Sequence, residues 1–236
     1  MDDKPLRKIR SYVRRPGRTT EAQKKALMEL MPRFGLEFES ERLDLDSVFG
    51  REGKKVLDIG FGDGEALLTS AVNNPDIDYL GVEVHDPGVG RLLMLLERAG
   101  LSNVRIVHRD VVEVLGSMLD DASLDGINVF FPDPWPKKRH HKRRLVQPSV
   151  VSEFARVLKV GGTLHLATDW ENYAEHMREV VSAAGAFAES SADSVAADTS
   201  LLRPPTKFER RGQGLGHSVW DLLYERVEIN PLSSRA

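Results

Sequence analysis

The chemistry available in this 236-residue sequence is concentrated in three glycines, a few acidic residues and one dense run of cations. Gly60, Gly62 and Gly64 follow the apolar run VLDI and precede a helical pattern. Glycines in that place let a ligand approach bare backbone beside a helix N-terminus. Asp58 lies just before them. Glu83 ends a second apolar run, where a carboxylate can accept hydrogen bonds from two ribose hydroxyls. Asp110 ends a third, placed to meet an adenine edge. One acid finishing a strand at the solvent is commonplace. Acids at three successive strand ends beside a glycine turn point to a nucleoside-type cofactor, because open α/β sheets bind ligands at those ends. A nicotinamide fingerprint would need a glycine at position 65, which is Glu65, so a dehydrogenase is disfavoured.

The stretch FFPDPWPKKRHHKRRLVQ (130–147) is the second concentration. An apolar run enters Pro132, Asp133, Pro134 and Trp135, and a cation cluster follows. Enzymes that methylate planar nitrogens carry a D/N-P-P-Y/W element after the fourth strand, and the match here is incomplete. Asp133 could therefore be a turn residue only, and Trp135 reads better as a packed indole than as a stacking surface for a base. The cations Arg139, Lys142, Arg143 and Arg144 suit phosphates, which set position rather than sequence. His140 and His141 sit among like charges, facing solvent or RNA, and the seven histidines show no metal-ligand spacing.

These residues need a scaffold that gathers strand ends. Apolar runs at 54–60, 78–84, 104–110, 127–131 and 163–169 read as strands, with amphipathic helical patterns between them. Strand–helix alternation of this length implies an α/β fold with a mostly parallel sheet and helices on both faces. Residues 20–31 read as a helix ending at Pro32, and Asp86 as the cap of a helix with Pro87 at its first position. SVWDLLYERVEI (218–229) reads as a last, antiparallel strand. The organisation expected is a basic N-terminal arm and helix over 1–35 and a catalytic domain over 36–236.

Net charge is −3, but its distribution is uneven. Residues 1–18 carry +5 and residues 137–144 carry +6, so the other 210 residues carry −14. Two basic segments on an acidic body fit a polyanionic partner as well as they fit a solvated tail and loop. There is no cysteine. That excludes disulfides and disulfide-linked partners, zinc ribbons, iron–sulfur clusters and cysteine nucleophiles. No apolar run is long enough for a membrane span. The basic start has no apolar stretch behind it, so no export signal is expected, and a cytoplasmic protein is.

The spacing Asp58-x-Gly60-x-Gly62-x-Gly64 resembles the D-x-G-x-G-x-G turn of class I S-adenosylmethionine-dependent methyltransferases. Four longer blocks, GVEVHDPGVG (81–90), residues 130–147, ATDWENYAEHM (167–177) and RPPTKFERRGQGLGHSVWDL (203–222), together with RRPGRTT near the start, resemble the bacterial tRNA (guanine-N7)-methyltransferase family over residues 10 to 228. The resemblance implies a Rossmann-like class I methyltransferase fold. It also implies methyl transfer from S-adenosylmethionine, without metal, to N7 of guanosine 46 in the tRNA variable loop. Carried onto this sequence, Asp58, Gly60, Glu83 and Asp110 would contact the cofactor, and Asp133 would be the catalytic carboxylate beside it. Lys137, Asp169 and Thr206, Lys207, Phe208 and Glu209 would hold substrate, and Arg139 to Arg144 would meet RNA. Asp169 could instead be only the cap of the following helix. The expected partner is tRNA, with the protein a monomer or homodimer and no membrane association. An exocyclic-amine methyltransferase would want the complete D/N-P-P-Y element. A non-catalytic RNA-binding module would not need all three acidic strand ends.

Overall fold

A computed structural model describes residues 12, 19–39, 41–190, 204 and 218–228. The elements run α1 (Glu21–Phe34), α2 (Leu45–Phe49), β1 (Lys54–Ile59), α3 (Glu65–Asn73), β2 (Ile77–Val82), α4 (Asp86–Ala99), β3 (Val104–Val107), α5 (Val111–Met118) and β4 (Leu124–Phe130). A 3-10 helix (Lys138–Arg143) precedes α6 (Pro148–Val157), β5 (Leu158–Thr168), α7 (Glu171–Ala183), β6 (Phe187–Glu189) and β7 (Trp220–Arg226). The strands make one sheet in the order β3-β2-β1-β4-β5-β7-β6. The first five are parallel, and β7 runs antiparallel between β5 and β6.

Alternation of side chains across the pleat sends apolar residues to both faces. Leu57, Leu80, Ile127 and Leu164 join one buried cluster with residues of α5, α6 and α7. Tyr79, Val104 and Ile106 join a second with residues of α1, α3 and α4. Strands buried on both faces are what a parallel sheet between two helix layers requires. The chain order reverses direction at β1, with β2 on one side and β4 on the other. That reversal opens a crevice at the carboxyl ends of β1 and β4, where ligands of such sheets bind.

The structure departs from the sequence reading at several boundaries. Helix α1 passes through Pro32 and ends at Phe34, because Pro32 loses one hydrogen bond near the end of the helix while Phe34 becomes 1% exposed. The cap of α4 is His85, so Asp86 is its first residue. Strands β4 and β5 begin earlier than their apolar runs suggest, at Leu124 and Leu158. Helix α2, β6 and the 3-10 helix were not expected. Helix α2 is a single short turn capped by Asp44, whose Oδ1 accepts from the backbone N–H of Asp46 and Ser47.

Candidate active site

The glycine turn follows β1 with left-handed backbone at Gly60, Gly62 and Gly64, φ 70°, 60° and 78°. Its shape is fixed from two sides. A side chain at Gly88, in the first turn of α4, would meet the Gly62 carbonyl oxygen at 2.2 Å, so α4 approaches the turn closely only because Gly88 has none. A Cβ on Gly60, by contrast, would point into open space. The turn therefore presents free backbone to whatever lies in front of it.

Glu83 braces this turn and is buried. Its Oε2 accepts from Gly62 N at 3.0 Å, while Oε1 accepts from Val84 N at 2.6 Å and His85 N at 3.1 Å. A carboxylate offers about four acceptor directions, so the backbone occupies three and roughly one remains for a ligand hydroxyl. Asp110 caps α5, its Oδ1 accepting from Val112 N at 3.1 Å. Asp58 is buried under the turn. Burial pushes its carboxyl up to about 7, the Glu83 charge adds to the rise, and a hydrogen bond with Asn128 opposes it.

A cavity of about 260 Å³ gathers these elements. Gly60, Glu83, Asp110 and Asp133 all line it, whereas Asp58 does not. Tyr12, His85, Arg109, Phe130 and Phe131 line it too, and none of them was expected. The last four sit at or beside ends of β2, β3 and β4, so their places in the sequence were the available signal. Tyr12 is the one described residue of the basic arm, and nothing in its local pattern marks it.

Asp133 is exposed, between two residues held in left-handed backbone, Phe131 at φ 52° and Trp135 at φ 45°. Such conformations cost a non-glycine residue about 1–3 kcal/mol each and cluster at functional sites. The Phe131 N–H reaches the Ala167 carbonyl at the end of β5 at 2.8 Å. Trp135 is packed, as its neighbours suggested: the Arg143 guanidinium lies 4.9 Å over its ring and His140 meets it edge-on at 5.9 Å.

The basic run divides. Lys137, Lys138, Arg139, Lys142 and Arg143 are exposed, and His140 and His141 are half-buried. Partial desolvation, then Arg139, Arg143, Lys137 and Lys142, hold the His140 imidazole below its ordinary value. Arg144, expected among the RNA contacts, is buried at 2% exposure, which withdraws it from the exposed basic face. Asp169 is half-buried and does not cap α7. The cap position is Trp170, whose N–H donates to Thr168 Oγ1 at 3.2 Å. Thr206, Lys207, Phe208 and Glu209 lie outside the described residues, as does the arm other than Tyr12. Among the described residues no group of His, Asp and Glu could hold a metal ion, and no helix is long and apolar enough to cross a membrane.

Residues 52–222 match the family described as "Putative methyltransferase". A tRNA (guanine-N(7)-)-methyltransferase of Shewanella amazonensis is 53% identical over 223 residues, 94% of this chain and 94% of that protein. One of the same name from Pseudomonas aeruginosa is 52% identical over 225 residues, 95% of this chain and 92% of that protein. Among solved structures, the 16S rRNA methyltransferase KamB superposes with a TM-score of 0.56 at 15% identity, covering 83% of this chain and 98% of that one. An antibiotic-related methyltransferase gives 0.54 at 17% identity, covering 81% and 96%. The fold is that of class I methyltransferases.

Proposed function

The chain belongs to the tRNA (guanine-N7)-methyltransferase family, and from that premise we propose that it methylates N7 of guanosine 46 in the tRNA variable loop, in the cytoplasm, using S-adenosylmethionine. The observation that carries the reading is one cavity lined by the glycine turn, Glu83, Asp110 and Asp133, with exposed cations beginning at Lys137.

The residues present suit that cofactor. Open space in front of Gly60 admits a ligand against the backbone, and Glu83 and Asp110 offer acceptors for hydroxyl and amino groups. When bound, S-adenosylmethionine supplies an electrophilic methyl on a sulfonium. Guanine N7 carries an in-plane lone pair and no proton, so no base has to deprotonate it. What remains for the protein is alignment and charge. As the methyl is transferred, positive charge develops on the purine. Asp133 lines the cavity with Glu83 and Asp110, and because those two accept from backbone N–H groups, Asp133 is the carboxylate left to stabilise that charge. Carboxylates also orient guanine by accepting from its N1–H and amino group, a role open to Asp133, Asp169 and Glu209. Bringing the base out of its stack costs a few kcal/mol, which phosphate contacts from Lys137, Arg139, Lys142 and Arg143 would offset.

The test is nucleoside mass analysis of tRNA lacking 7-methylguanosine after incubation with methyl-labelled S-adenosylmethionine, beside a transcript with adenosine at position 46. Label in 7-methylguanosine, lost in the transcript, is the expected result. Label in 6-methyladenosine or 2-methylguanosine would move the assignment to exocyclic-amine methylation.

A further inference from the structure

Arg144 is the last cation of a run that reads as uniform in sequence, yet all three nitrogens of its guanidinium are engaged within the protein. Its Nε donates to the Pro134 carbonyl at 3.0 Å. Its Nη1 donates to the Asn172 carbonyl at 3.3 Å, and its Nη2 to Asn172 Oδ1 at 2.8 Å. Nη2 also lies 3.2 Å from His141 Nε2, and the group stacks over Tyr173 with 4.8 Å to the ring centroid. None of these partners is a carboxylate: they are two carbonyls, an amide, an imidazole and a phenol ring. Burial accordingly lowers the pKa of Arg144. A charge sunk without a carboxylate partner gives up hydration without the Coulombic return of an ion pair. An exposed lysine at this position would serve a phosphate better, so the burial calls for another reason.

The places of the partners supply one. Pro134 follows Asp133 directly, and Asn172 lies in the first turn of α7, three residues after Asp169. Arg144 thus joins the loop that carries Asp133 to the helix that follows Asp169. Its own segment is fastened to the same helix. Val146 N donates to the hydroxyl oxygen of Tyr173 at 3.2 Å, and His176 Nε2 is 2.8 Å from the Val146 carbonyl. Tyr173 is fully buried. Only a planar fork with several fixed donors spans Pro134 and Asn172 together, whereas an ammonium is a point charge without that geometry.

We propose that Arg144 is a positioning residue for methyl transfer, setting the Asp133 loop against the start of α7, and that it does not contact tRNA. The inference rests on the reading above of Asp133 as the group beside the transferred methyl. A misplacement of about 1 Å at a reacting centre can cost about a hundredfold in rate, so a loosened joint should be visible in turnover rather than in binding.

The experiment compares Arg144→Lys, Arg144→Gln, Asn172→Ala and Arg139→Ala with the unaltered full chain. Single-turnover rates are taken per folded molecule at saturating S-adenosylmethionine and tRNA, as total label entering tRNA whatever the nucleoside. tRNA affinity is measured across a salt series without cofactor. Both Arg144 variants should transfer at least about tenfold more slowly, with tRNA affinity within about twofold and an unchanged salt slope. Asn172→Ala, at an exposed residue, should slow transfer less, and the double variant with Arg144→Lys should be no slower than Arg144→Lys alone, as expected of groups acting through one joint. Arg139→Ala should instead reduce the salt slope by roughly 0.7–0.9. A slope reduced by that amount in Arg144→Gln would make Arg144 a phosphate contact and overturn the proposal. Normal transfer rates with lowered melting temperature would make it a purely structural residue, with the same consequence. If the Arg144 variants do not fold, a normal rate in Asn172→Ala overturns it. A product other than 7-methylguanosine from the unaltered chain would overturn the proposed function while leaving these rate comparisons to decide the role of Arg144.

Discussion

Replacing Asp58 with asparagine should stabilise the cofactor-free protein at neutral and alkaline pH while leaving it nearly unchanged in acid. The folded carboxyl is pushed from 3.8 up to about 7 by burial. That is a shift of roughly 3 units at 1.36 kcal/mol each, or about 4 kcal/mol, a large part of the 5–15 kcal/mol that holds a typical domain together. The sign follows from which state binds the proton. Below about pH 3.8 both states are protonated and the raised pKa has no cost. Between 3.8 and about 7 the unfolded chain releases the proton and the folded chain keeps it, so stability falls as pH rises. Above about 7 the folded chain carries a buried charge and the whole amount has been lost. Urea unfolding of Asp58→Asn and the unaltered chain at pH steps from 4 to 8 reads this group together with its coupling to Glu83, since carboxyls that do not interact with Asp58 cancel in the difference. The stability gained by the variant should grow from near zero at pH 4 toward about 4 kcal/mol at pH 8. A difference that stays flat across the series would refute the argument, because it would mean that Asp58 ionises without loss of hydration. An acid retained at such a cost under the glycine turn is expected to serve binding, so the same variant should hold S-adenosylmethionine more weakly in a titration without RNA.

Asp133→Ala should lower turnover at least about a hundredfold at saturating cofactor and tRNA, the scale of losing one electrostatic stabiliser, with folding preserved because the residue is exposed; near-normal turnover would reduce Asp133 to a turn residue. Changing Arg139, Lys142 and Arg143 together to alanine should flatten the plot of log tRNA affinity against log salt by about 2 if all three touch phosphate, with cofactor affinity unchanged. An unchanged slope would remove this run from the RNA site and leave the N-terminal arm as the main basic contact.

Most of the scaffold is legible in the sequence because it is locally encoded. The five apolar runs appear as β1 to β5, and the glycine turn with Glu83 and Asp110 appears where those strands end. Elements that local pattern does not encode are the ones that escape it. Strand β6 is three residues long, too short for alternation to register, and exists through pairing with β7 more than thirty residues later. The continuation of α1 past Pro32 is decided by the burial of Phe34 against the second core cluster, a tertiary gain that outweighs one lost helix bond.

The same distinction explains why the loop that carries Asp133 is harder to read than the glycine turn. Around the glycine turn, residue type announces conformation: left-handed backbone falls on glycines. At Phe131 and Trp135 the same backbone region is imposed on large aromatic residues, against their own preference, so no residue type signals it. A conformation that its own residues resist has to be held from elsewhere. The holders are distant in sequence: Ala167 on β5 receives the Phe131 N–H, and Arg144, gripping Asn172, fixes the Pro134 carbonyl. Arg143 and His140 close over Trp135 from the basic run itself. The cations next to Asp133 therefore divide by position. Those that face solvent are placed to meet phosphate, and Arg143 among them stacks on Trp135, in the loop that carries Asp133. Arg144 faces inward and sets where that loop stands. A charge run that is uniform as a string splits into outward and inward side chains because the chain turns the last of them toward α7.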